Sequence, residues 1–137
     1  MTENFPFINT VGRSQMKLSS LVALLENRIS SSEFRCSIAS DVAEYLEKAN
    51  TPGSVMPVRV TEDLEIALTI ESIKGLCRLF INAQLKSEEL AFIADALQLS
   101  DSVNFDEGIS EFLASMTDPE INGPFTVDDA KKILSGA

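Results

Sequence analysis

Apolar residues return at helical spacing in stretch after stretch of this chain, and that recurrence restricts it to a helical body. Leu18, Leu21, Val22, Leu25 and Ile29 stand at i, i+3, i+4, i+7 and i+11, on one face of a helix entered after Ser14. After the serines at 30 to 32, Phe34, Ile38, Val42, Tyr45, Leu46 and Ala49 repeat the pattern to about Asn50, with Glu44 and Lys48 as a supporting i, i+4 pair. Ile70 to Gln84 is apolar around most of its circumference through Ile73, Leu76, Cys77, Leu79, Phe80 and Ile81, which predicts a central helix buried by its neighbours. Ser87 is read as the cap of a helix to Leu99 whose core stripe is Leu90, Ile93, Ala94 and Leu97. Ile109, Phe112, Leu113 and Met116 mark another, stopped by Asp118-Pro119, and Thr126-Val127-Asp128-Asp129 opens a last short helix that ends at Gly136. The expected fold class is all-α, a compact bundle of about five or six helices.

The breaks are as informative as the helices. Residues 1 to 12 have no period and contain a proline, and read as an N-terminal arm whose Phe5, Phe7 and Ile8 pack back on the body. Thr51 to Pro57 holds two prolines and a glycine and cannot continue a helix, and Asp118 to Phe125 is similarly rich in turn residues. Leu64, Ile66, Leu68 and Ile70 alternate as a strand would, so one short strand pair fits residues 58–70. The favoured reading there is a turn of helix near Glu62 followed by an extended linker. No internal repeat is evident. At 137 residues and 45% apolar, the chain should close one core, a single helical domain over residues 1–137.

Composition removes much chemistry. With no histidine there is no imidazole base, no Ser-His or Cys-His pair and no His-containing metal site. Cys36 and Cys77 lack metal or redox spacing and are expected as reduced thiols, each inside an apolar helical stretch. A net charge of −10 opposes nucleic acid and anionic lipid alike. No bilayer-spanning run and no secretory leader is read, so the expected location is cytoplasmic. No enzyme, cofactor or metal is expected.

The distribution of charge says more than its total. Met1 to Lys86 carries ten acids and nine bases, whereas Ser87 to Asp129 carries eleven acids and no Lys or Arg. Helix first turns account for Glu88, Glu89, Asp106, Glu107, Asp128 and Asp129 individually but not for the missing cations. A field of one sign repels itself and steers partners of the other, so this half is read as an interaction surface for a basic protein. Its candidate contacts are Glu88, Glu89, Phe92, Asp95, Asp101, Asp106, Glu107, Glu111, Asp118 and Glu120. At 100° per residue, Glu88, Phe92, Asp95 and Leu99 fall opposite the core stripe of their helix. Phe92 is therefore expected as an aromatic anchor ringed by acids, against the alternative that it enters a second part of the core.

The acidic twelve-residue stretch from Asp101 to Phe112 is no calcium loop. Its ligand positions three and five are Val103 and Phe105, the turn glycine is Asp106, and the closing glutamate is Phe112. Asp101-Ser102-Val103 and the tail TVDDAKKIL resemble acyl carrier proteins over the last third of the chain, which would imply phosphopantetheine on Ser102; Asp101 or Ser102 as a helix cap is the simpler expectation. The stretch VTEDLEIALTIESIKGLCRLFINAQLKSEELAFIADALQLSDSV, followed by DPEINGP, resembles bacterial toxin-immunity proteins of the contact-dependent growth inhibition type. That resemblance implies binding to a cognate toxin, often a basic nuclease, and blockade of its active site or substrate groove. It assigns no site residue. The functional expectation is a small acidic protein-binding inhibitor, with a non-enzymatic adaptor or regulatory subunit as the rival reading and a carrier protein third.

Overall fold

Ser30 ends one turn and begins one helix with a single side chain. Its hydroxyl accepts the Glu33 amide at 3.1 Å and satisfies a donor that a helix start leaves open. Such local closures delimit most of the elements in the computed structural model, which describes residues 16–49, 60–117 and 125–136. In chain order these are β1 (Met16–Lys17), α1 (Leu18–Leu25), α2 (Ser31–Ala49), β2 (Val60–Thr61), β3 (Ile66–Ala67), α3 (Ile70–Ile81), α4 (Ser87–Leu99), β4 (Val103–Asn104), α5 (Glu107–Met116) and α6 (Val127–Leu134). The arm, the loop at 51 to 57, and residues 118 to 124 of the turn-rich segment lie outside the described residues.

The helical reading stands: six helices form among the described residues, and all six contribute to one apolar cluster. Among its fully buried members are Leu21, Phe34, Ile38, Leu76, Phe92 and Leu113. Helix α6 packs on α3, α5 on α4, and α2 on α4 as well. The Phe80 and Phe125 rings meet with centroids 5.7 Å apart. Gly75 sits inside α3 because Leu25 of α1 approaches it, and a Cβ there would stand 3.1 Å from the leucine Cδ2.

Several boundaries differ from the sequence reading: α1 begins at Leu18, after the strand at Met16–Lys17, and α3 ends at Ile81 rather than Gln84. Helix α1 stops at Leu25 and leaves Ile29 in the following turn. Residue 86, a lysine that has no acceptor to offer, precedes α4; Glu89 supplies the cap instead, its Oε1 accepting the Lys86 amide at 2.7 Å. Asp101 and Ser102 form a turn rather than a helix start, and Asp106 is the residue that caps α5, accepting the Ile109 amide at 3.0 Å.

The segment 58–70 also departs from expectation. No helical turn forms at Glu62, and the two strands described there do not pair with each other. Strand β2 runs parallel to β1, with Met16 opposite Val60, and β3 runs parallel to β4, with Ile66 opposite Val103. The acids between them act as long-range clamps. The Asp63 carboxylate accepts the Ser19 amide at 3.0 Å and the Ser19 hydroxyl at 2.5 Å, closing the open end of α1. Those two bonds hold Asp63 below the ordinary carboxylate pKa. Glu62 Oε1 accepts the Ser102 amide at 2.7 Å.

These pairings disclose a repetition that the sequence does not display. The path strand, helix, turn, helix, strand is traced by β1-α1-α2-β2 and again by β3-α3-α4-β4, each time with its two strands parallel. The turns share three backbone bonds. After α1, the amides of Glu26, Asn27 and Arg28 bond to the carbonyls of Val22, Leu24 and Ala23; after α3, those of Asn82, Ala83 and Gln84 bond to Arg78, Phe80 and Leu79. Both are Schellman closures with the left-handed residue at the same place, Asn27 at φ 62° and Ala83 at φ 60°.

Alanine is an unfavourable choice there, since its Cβ costs about 1–2 kcal/mol in the left-handed region. Ala83→Gly should stabilise the protein by about 0.5–1 kcal/mol after glycine's greater unfolded-state entropy is subtracted. Urea unfolding checks this, and a loss of stability would contradict the geometry.

The cysteines divide. Cys77 is buried in α3, and burial pushes its thiol up to about 11, whereas Cys36 is exposed on α2. Only the first matches the expectation of two core thiols. Cys36 lies off the Phe34, Ile38, Val42 and Tyr45 stripe that buries α2. Ellman's reagent should therefore titrate one thiol quickly in the native protein and the second only on unfolding; two slow thiols would contradict this placement.

Candidate functional site

The eight acidic-half candidates among the described residues separate into a buried seam and an exposed end. The seam lies between α2 and α4. Arg35 Nε donates to Glu89 Oε2 at 3.0 Å, and the pair is mostly covered, with side-chain exposures of 32% and 12%. Both Glu89 oxygens are therefore engaged, one by this ion pair and one by the cap of its own helix. The Tyr45 hydroxyl donates to Asp95 Oδ2 at 2.5 Å, and the Tyr45 ring meets Phe92 edge-on at 5.5 Å between centroids.

Phe92 is 0% exposed, which corrects its reading as an anchor for a partner. Glu89 and Asp95 are corrected with it, because their carboxylates serve the contact with α2. The physical reason is that α4 packs against α2 as well as α5, and Tyr45 of α2 covers the side that carries Phe92 and Asp95, which makes it a second core face. Glu88 is half-buried at the start of that helix.

The exposed group is Asp101, Asp106, Glu107 and Glu111. Asp106 has a structural task as the α5 cap. Glu107 and Glu111 lie one helical turn apart on the outer side of α5, and Asp101 lies in the turn between α4 and β4. Asp118 and Glu120 lie outside the described residues. Ser102 is partly buried in the same turn as Asp101, with its amide held by Glu62.

Sequence reasoning missed four contributors. Arg35 and Tyr45 complete the seam from α2, and Glu62 with Glu65 adds acidic charge beside Asp101 through the β3–β4 pairing. The run Glu62-Asp63-Leu64-Glu65 was the available signal, hidden by its assignment to the charge-balanced half.

Among the described residues, no group of three or more His, Cys, Asp or Glu could hold a metal ion, and no helix is long and apolar enough to cross a membrane. The arrangement offers carboxylates at a surface. No family model, no curated protein and no solved structure matches the chain.

Proposed function

We propose that this chain is a small, non-enzymatic, protein-binding inhibitor of the toxin-immunity kind, acting in the cytoplasm on a basic partner whose active-site or substrate-binding surface it covers. The observation that carries the reading is the exposed end: Asp101, Glu107 and Glu111 project from a segment, Ser87 to Asp129, that contains eleven acids and no Lys or Arg. Carboxylates held on a folded scaffold can stand where a nuclease would hold substrate phosphates, and their field speeds encounter with a cationic surface. Such a mechanism needs no cofactor and excludes nucleic acid and anionic membranes as partners through the same repulsion.

The reading requires a large effector encoded immediately beside this chain. Mixed with that protein, the chain should form a complex whose association slows as salt rises. Changing Asp101, Glu107 and Glu111 together to Lys should slow association by about tenfold or more at low salt. Thermal unfolding should move only slightly, because Glu107 alone of the three sits in a helix first turn, where a cation opposes the helix dipole. Normal association of the reversed variant, or a neighbouring gene with no effector, would overturn the proposal.

A further inference from the structure

The apolar part of the proposed interface has to be found elsewhere than Phe92, and the structure offers one place. Four large apolar residues are exposed among those described: Leu64, Ile70, Leu99 and Val127. The first three adjoin a single feature, the parallel ribbon of β3 and β4. Leu64 precedes β3 by two residues, Ile70 follows it by three, and Leu99 ends the helix that leads into β4. The ribbon holds these segments side by side, since the Ile66 amide bonds to the Ser102 carbonyl at 2.9 Å and the Leu68 amide to the Asn104 carbonyl at 2.8 Å. Glu62 fastens the entrance by its bond to the Ser102 amide. Leu99 is 68% exposed, far more than a leucine at the end of a buried helix requires.

Charge identifies the occupant. Glu65 and Asp101 flank the ribbon, both are exposed, and neither side chain makes an ion pair or hydrogen bond among the described residues. The sequence supplies no Lys or Arg from Val60 to Ile73 or from Ser87 to Asp129. Lys17, whose attraction contributes to lowering the Asp63 pKa, stands at the other strand pair. Exposed apolar side chains and unpaired carboxylates along one ribbon favour a partner segment that presents apolar and cationic side chains together. A second copy of this chain, at −10, is disfavoured by the same field.

We infer that the β3–β4 ribbon, with Leu64, Ile70 and Leu99 at its ends, is the docking surface for a cationic amphipathic segment of the partner. This rests on the basic-partner reading above and locates it. The rigid bonding of the ribbon means that little ordering is required on this side of the contact.

The test uses the full chain labelled with nitrogen-15 and two synthetic peptides of equal positive charge, one alternating leucine with lysine at helical spacing and one with serine in place of each leucine. Titration with the leucine peptide should move the amide signals of residues 62–70 and 99–104 and spare those on the outer side of α5. The serine peptide should bind about tenfold or more weaker. Leu99→Ser should weaken the leucine peptide by a similar factor without lowering the thermal midpoint, since the side chain is already in water. Equal affinity for the two peptides, or shifts centred on Glu107 and Glu111, would overturn the ribbon as the docking surface while leaving the basic-partner reading intact. Binding of neither peptide at millimolar concentration would overturn both.

Discussion

Phe92→Ala is expected to remove about 3–5 kcal/mol of folding stability, measured as a lower urea midpoint at unchanged slope. The ring is 0% exposed and sits between Tyr45 and the remainder of the core cluster. Truncation removes the burial of a large side chain and leaves a cavity whose walls, fixed in α2 and α4, can close only in part. It also takes away the surface against which Tyr45 is held edge-on, and so loosens the hydroxyl that donates to Asp95. For a protein of this size such a loss is a large share of total stability. Leu99→Ala on the same helix should cost far less, because its side chain is already largely in water. If Phe92→Ala left the urea midpoint in place and altered only partner binding, the ring would belong to the surface and the packing described for the seam would be wrong.

Helix positions were legible in the sequence because amphipathic periodicity is a local property, and α4 runs over the residues that Ser87 to Leu99 suggested. The last helix was legible for the same reason: Thr126 accepts the Asp129 amide at 3.2 Å, and the Asp129 carboxylate accepts the Thr126 amide at 2.9 Å, a local exchange. The strand pairings were not, since each strand has two residues and pairs with a distant segment; the alternation from Leu64 to Ile70 marks extended chain at β3 but carries no sign of its partner β4. The repetition was hidden because chemically different residues perform the same step in its two halves. Asn27 and Ala83 take the same left-handed turn, and at the start of the second helix the Ser30 hydroxyl accepts the Glu33 amide ahead of it in one half, whereas the Glu89 carboxylate reaches back to the Lys86 amide in the other.

The candidate site was legible as charge and misread as direction. A helical wheel shows that Phe92 and Asp95 share a side, but whether water or another helix lies there depends on α2, and the wheel of α4 carries no information about α2. Asp101, Glu107 and Glu111 are exposed, as charges in a turn and on the outer face of a helix are by default.

Glu89 and Arg35 should show unequal costs when removed singly. Glu89→Ala is expected to lose about 2–3 kcal/mol and Arg35→Ala about 1–2 kcal/mol, values set between those of fully exposed and fully buried ion pairs because the two side chains are only partly in water. The asymmetry follows from what each deletion leaves behind. Without Arg35, the Glu89 carboxylate keeps the Lys86 amide and the favourable N-terminal end of α4. Without Glu89, that amide loses its acceptor and Arg35 loses its partner, although the guanidinium can turn to water from a site that is already one-third exposed. Glu89→Gln separates the two roles: its carbonyl can still accept the Lys86 amide, so it should recover the capping share and lose only the charge-assisted share. In the double variant the costs should fall short of additivity by about 1 kcal/mol, the coupling that the 3.0 Å contact represents. Strict additivity in urea melts of the four proteins would mean that the pair is no more than two neighbouring charges, and that the α2–α4 seam is held by Tyr45, Phe92 and Asp95 without it.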